Sequence, residues 1–228
     1  MSSFALKMIA CIFMFIDHTG QIFYNGNSIL NIIGRLAFPI FAFQITEGYI
    51  HTKDIKKYLL RLLILALVSQ IPFMIMLERV GFTINTIATL LFGLISITIY
   101  NKNKILGIIS LIILGIIAEF AHFDGGICCV FIIFNFYVFK DKKIIMTVFY
   151  ILLVTCLFGS NLIEYFKNGN EVLYSVIKYY LPYYVATLSA ILLIYTYNNK
   201  KGKKMKWFFY IFYPFHIILL LFIKYFIS

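Results

Sequence analysis

The sequence predicts an all-α fold, a polytopic membrane helical bundle of about nine transmembrane helices in one domain covering 1–228. Of the 228 residues, 62% are hydrophobic and only 13% charged. The mean hydropathy of +0.93 lies far from that of soluble domains, which are about half apolar. Runs of about 20 apolar residues, each able to cross about 30 Å of hydrocarbon, recur along the whole chain. Between them, lysine-rich and lysine-poor loops alternate.

The first span is 4–24; lacking a basic leader and a small-residue cleavage pattern, it is expected to be retained rather than cleaved as a signal peptide. A short "NGNS" turn leads to 28–51, and "HTKDIKK" to 56–77. "ERVGFTIN" precedes 84–100, "NKNK" precedes 105–121, "HFDGG" precedes 126–139 and "KDKK" precedes 144–159. The shortness of these spans leaves a merged or re-entrant pair open over 105–159. The longest loop, 160–175, is a candidate interfacial helix with Ile163, Tyr165 and Phe166 toward lipid; spans 176–198 and 207–227 complete the set, joined by "NNKKGKKMK".

One set of alternating loops contains Lys53, Lys56, Lys57, Lys102, Lys104, Lys140, Lys142, Lys143, Lys200, Lys201, Lys203, Lys204 and Lys206. The other holds only Arg79 and Lys167, with Glu78, Asp124, Glu164 and Glu171. Basic residues collect on cytoplasmic loops, so the expectation is a multi-pass protein of the cell membrane with its N-terminus cytoplasmic and its C-terminus outside. The net charge of +11 is then a matter of topology, and no nucleic-acid partner is expected. Cys11, Cys128, Cys129 and Cys156 fall in apolar segments without metal-ligand spacing, so they read as packing residues and no metal is expected.

Ionisable side chains within the spans are costly and therefore informative. Asp17, His18, Arg35, Glu47, Arg61, Glu119, His122 and His216 are the candidates. At about 1.5 Å of rise per residue, Asp17 and Arg35 both lie roughly 13 Å from the "NGNS" turn, so they are expected to pair. Glu47 and Arg61 are expected as a second pair near the cytoplasmic end. His216 climbs roughly 15 Å into the last helix and reaches the depth of His18. Successive side chains on a helix diverge by about 100°, so Asp17 and His18 face different walls. Glu119 and His122, beside Asp124, read as a solvated rim. Pro39 is expected to kink the second helix near Arg35. An imidazole at this site suits a general base or a proton relay equally, and an Asp17–Arg35 clasp is also sufficient as pure structure.

The segments "LKMIACIFMFIDHTGQIF", "IIGRLAFPIFAFQITEGYIHT", "KKYLLRLLILALVSQIPF", "NTIATLLFGL", "AEFAHFDGGICCVFIIFNFYVF" and "FFYIFYPFHIILL" together resemble the TraX family, in its order and over nearly the whole chain. The resemblance also extends to the wider transmembrane acyl transferases. It implies an integral membrane acyltransferase-like domain that moves an acetyl group from cytoplasmic acetyl-CoA to a hydroxyl or amine of an exported or membrane-proximal acceptor. Within the Asp-His motif, His18 is implied as the catalytic base, supported by Asp17 and Arg35. Glu47, Asn85, Tyr213 and His216 are candidate substrate-binding residues, while Lys56, Lys57, Arg61 and Lys204 are candidate contacts for the acyl-CoA phosphates. Acetyl-CoA is then a donor substrate rather than a resident cofactor. The expected partners are membrane lipids and an exported polymer, glycan or peptide, and a homodimer is an open assembly. A proton-coupled transporter and a non-catalytic assembly protein for a surface polymer or pilus are the rival expectations.

Overall fold

The computed structural model describes residues 1–26, 28–77, 81–167 and 180–227, with the side chains of 160–167 and of 206 outside the description. These residues form a bundle of ten helices: α1 (Ser3–Tyr24), α2 (Ile29–Gly34), α3 (Ala37–His51), α4 (Ile55–Met76), α5 (Thr86–Lys102), α6 (Lys104–Phe120), α7 (Gly126–Val138), α8 (Lys143–Lys167), α9 (Leu181–Tyr195) and α10 (Lys206–Ile227). Helices α2 and α3 run in series through a turn at Arg35 and Leu36 and together make one unit, Ile29–His51. Among the described residues, four units are long and apolar enough to cross a membrane: α1, α2 with α3, α4, and α10 from Trp207. The stretch 105–159 is three separate helices, so no pair of them is merged. Of the candidate interfacial stretch, 160–167 continues α8, and the rest lies outside the described residues.

Side-chain caps set the helix starts. Ser2 accepts from the Ala5 N–H at 3.2 Å, Asp54 from Lys57 at 3.0 Å and Asn103 from Leu106 at 3.0 Å. Each satisfies a backbone donor that has no partner within its helix. The same bond from Lys57 holds the exposed Asp54 carboxyl below the usual carboxylate range. Asn25 ends α1 in the left-handed conformation, with φ 55°.

The expected Pro39 kink is present as a break in the second helix at Arg35 and Leu36. A proline at 39 offers no N–H to the Arg35 carbonyl and its ring would clash with it, so a continuous helix through this stretch is unfavourable. The chain turns at Arg35 and Leu36 and restarts with Pro39 in the first turn of α3, where a missing donor costs nothing.

Packing divides the helices into core and lipid faces. In the short helix α7, Val130, Ile132, Ile133 and Phe136 are fully buried, making it the centre of the bundle. Helix α6 does the opposite. It exposes Ile108, Ile109, Ile112, Ile113, Ile116 and Ile117 and buries Gly107, Leu111, Gly115 and Ala118. A Cβ on Gly107 would strike the Tyr100 backbone of α5, and one on Gly115 would reach Ile127 of α7 at 2.8 Å. Small residues permit the close backbone approach that drives association in lipid, where no hydrophobic effect acts between helices.

Hydrogen bonds tie loops together at two ends. At one end the N-terminal segment is laced to the α9–α10 loop: Ser3 N–H donates to the Lys200 carbonyl at 2.8 Å and Phe4 N–H to that of Lys201 at 3.1 Å. Tyr197, from the same loop, donates its hydroxyl proton to Glu47 at 2.8 Å near the end of α3. At the other end Tyr183 reaches the Gly26 carbonyl at 3.0 Å, while Ile84 N–H donates to the His122 carbonyl at 3.0 Å and Asp124 N–H to that of Ile84 at 2.8 Å.

Candidate functional site

Lys7, Cys11, Met14 and His18 recur on α1 at spacings of four, three and four, which places them on one helical face. All four, together with Asp17, line a cavity of about 780 Å³ that runs through the bundle. Its two ends differ in chemistry. One is bordered by Lys201, Lys203 and Lys204 of the α9–α10 loop, with Arg61 and His51. The other is bordered by Asp17, Arg35, Thr86, Asp124 and Tyr213.

The expected pairing of Asp17 with Arg35 is present: Arg35 Nη2 donates to Asp17 Oδ1 at 3.3 Å. Asn31 adds a donor to the Asp17 backbone oxygen at 3.0 Å and to its carboxylate at 3.4 Å. These two charged side chains retain 22% and 40% exposure. Both line the cavity, and that is where their ionised forms find polar surroundings. Gly34 makes the approach of α2 to α1 possible, since any Cβ there would fall on the Asp17 side chain.

His18 and His216 are brought together as their depths predict, His18 Nδ1 lying 2.7 Å from His216 Nε2. The chain of hydrogen bonds sets the tautomers. His216 Nδ1 lies 2.6 Å from the Phe212 carbonyl, which can only accept, so that nitrogen carries the proton. In a neutral ring the His216 Nε2 is then an acceptor, and His18 Nδ1 donates to it. The His18 Nε2 keeps its lone pair on the ring that lines the cavity. The two imidazoles are nearly parallel with centroids 4.8 Å apart, as their in-plane hydrogen bond requires, and His216 stacks on Phe212 with centroids 4.7 Å apart.

Three sequence expectations are corrected. Glu47 and Arg61 both line the cavity but do not pair: Glu47 faces His51 at 3.4 Å and Tyr197 at 2.8 Å, while Arg61 donates to Tyr210 at 3.4 Å and lies over the Tyr58 ring. Equal depth did not make them partners because aromatic neighbours satisfy each of them first. Asn85 is fully buried away from the cavity lining. It caps α5 by accepting from Ile87 and Ala88 at 3.1 and 3.2 Å, and its amide donates to Ala66 and Gln70 at 2.7 and 2.8 Å, so all its bonding capacity is spent on structure. Of the candidate phosphate contacts, Arg61 and Lys204 line the cavity; Lys56 and Lys57 do not, and Lys57 pairs with Asp54 at 3.2 Å instead. Lys7, Lys201 and Lys203 line it in their place.

Asp124 is the residue that sequence reading set on the solvated rim and the fold draws inward. Gly125 and Gly126, at φ 79° and 49°, turn the α6–α7 loop into the bundle, a conformation that side-chain-bearing residues rarely adopt. The Asp124 carboxylate accepts from the Thr86 hydroxyl, and its carbonyl accepts from Thr89 at 2.9 Å. The paired glycines after an aspartate are the only signal in the sequence. Neighbouring Glu119 accepts from the Ile127 N–H at 3.0 Å, and His122 is exposed with φ 54°. The end of the cavity thus holds two carboxylates, one guanidinium and the buried Tyr213 hydroxyl, which makes no hydrogen bond among the described residues.

The arrangement offers a lone-pair nitrogen at one end of a channel whose other end is basic. A family described as "TraX protein" matches residues 2–224. The chain is also 28% identical to the probable fimbrial assembly protein FimC, serogroup H1, of Dichelobacter nodosus, over 96% of this chain and 94% of that one. No solved structure matches it.

Proposed function

The chain belongs to the TraX family, and from that premise we propose that it is a membrane-embedded acetyltransferase, carrying acetyl from cytoplasmic acetyl-CoA to an exported or membrane-proximal hydroxyl or amine. The single observation that carries this reading is the cavity joining Lys201, Lys203 and Lys204 to His18. A basic mouth attracts the CoA phosphates, and a channel beyond it lets the thioester reach the histidine. With the lysine loops cytoplasmic by the charge rule, the acceptor enters from the opposite end, beside Asp17, Arg35 and Asp124.

In this mechanism His18 Nε2 removes the proton from the acceptor hydroxyl or amine as that atom attacks the acetyl carbonyl carbon. The carbon–sulfur bond breaks, and the proton on His18 passes to the departing sulfur, leaving acetylated acceptor and free CoA thiol. His216 accepts the His18 Nδ1–H throughout and so keeps the reactive nitrogen facing the substrates, the part a carboxylate plays in a serine-hydrolase triad. Tyr213 and Arg35 are the candidate donors to the negative charge that develops on the acetyl oxygen.

The test is acetyl transfer by the purified chain in lipid nanodiscs, read by mass spectrometry of exported peptides and polymers. The expected outcome is that His18→Ala lowers turnover by roughly 10²- to 10⁴-fold while CoA binding and thermal stability persist. The description of the relative as a fimbrial assembly protein favours a pilus-associated acceptor, and equally supports a second reading, a non-catalytic role in pilus assembly. That reading requires His18→Ala to leave pilus assembly unchanged and no acetyl group to be missing from surface material of a deletion strain.

A further inference from the structure

Gln44 is the cavity-lining residue that neither the pairing of charges nor the histidine dyad uses. It is 2% exposed, yet lines the channel. Its Oε1 accepts from the Ser3 hydroxyl at 2.6 Å, while its Nε2 has no hydrogen-bond partner among the described residues. A buried amide N–H left without an acceptor costs roughly 1–3 kcal/mol, so its place on a cavity wall points to a ligand that supplies the acceptor. Ser3 holds the oxygen end of the amide.

Position selects the ligand atom. Ser3 N–H is bonded to the Lys200 carbonyl, so Gln44 lies just inside the lysine mouth. It is also roughly 13 Å of helical rise from Arg35 at the reactive end. A donor whose phosphates meet the lysines and whose thioester meets His18 lays the middle of its arm across this level. That middle is the pantoyl unit, whose amide carbonyl is an acceptor in search of a donor.

Resting on the acetyl-CoA reading above, we propose that Gln44 Nε2–H donates to the pantoyl amide carbonyl of the acyl donor and sets the depth at which the thioester stops. Gln44 is therefore a positioning residue for the donor and makes no contact with the acceptor.

The experiment compares acetyl-CoA with acetyl-S-N-acetylcysteamine, a thioester that lacks the pantoyl unit, on the full chain in nanodiscs. Gln44→Met, which keeps shape and removes the donor, is expected to raise KM for acetyl-CoA about tenfold with the acceptor KM unchanged, and to leave kinetics with the truncated thioester as in the unmutated chain. Gln44→Glu, which keeps polarity but removes both N–H groups, is expected to act in the same direction and serves if the Met variant does not fold. Equal losses with both thioesters, or no loss with either, overturn the assignment while leaving acetyl transfer standing. If the unmutated chain binds no CoA in a direct titration and turns over neither thioester, the acetyltransferase reading falls and takes this one with it.

Discussion

Among single side chains, His216 separates positioning from chemistry. Replacing it by phenylalanine keeps an aromatic ring against Phe212 and removes the acceptor for the His18 Nδ1–H, so His18 is free to adopt the other tautomer. His216→Phe is expected to lower kcat by roughly 10²-fold, with KM for acetyl-CoA little changed and thermal stability maintained. Kinetics in nanodiscs check this, and a loss smaller than a few-fold would show that tautomer control plays no part. The meeting of His18 and His216 was legible in the sequence because depth along two spans is counted in residues. Asp124 was not legible in the same way: a carboxylate in a loop looks solvated until two left-handed glycines turn it inward. Asn85 errs in the other direction, being polar and buried for the sake of a helix cap rather than a substrate.

Between elements, the approach of α2 to α1 depends on Gly34. A methyl group there meets the Asp17 side chain, so Gly34→Ala must either push the helices apart or swing the carboxylate away from Arg35. The expected result is a loss of about 1–3 kcal/mol of stability, read as a lower thermal midpoint, together with loss of transfer activity. Gly159→Ala, where a Cβ meets nothing within 4 Å among the described residues, is the matched control and is expected to be neutral or slightly stabilising. Most helix bounds were readable to within a few residues, since length and hydropathy set them; α8 is the exception, running to Lys167 where the expected span ends at 159. What hydropathy does not report is a break inside an apolar run, and only the restart of the chain after Leu36 reveals how Pro39 is accommodated.

For the molecule as a whole, the alternation of lysine-rich and lysine-poor loops predicts which side faces the cytoplasm. A reporter fused after Ser228 is expected to be folded and active outside the cell, and one fused within the 199–203 loop to be active inside. The reverse pattern would turn the lysine mouth away from cytoplasmic acetyl-CoA and end the proposed direction of transfer.

Composition, span length and loop charge are local quantities, so the sequence by itself determined a helical membrane bundle and the height of each intramembrane charge along its helix. Depth, however, is one coordinate of three. Which residues of equal depth face each other depends on how helices rotate and pack, and that is decided by side-chain volume at contacts such as Gly34, Gly107 and Gly115. Tertiary structure therefore decided that Glu47 turns to Tyr197 and His51 instead of Arg61, and that a channel joins the lysine loop to His18.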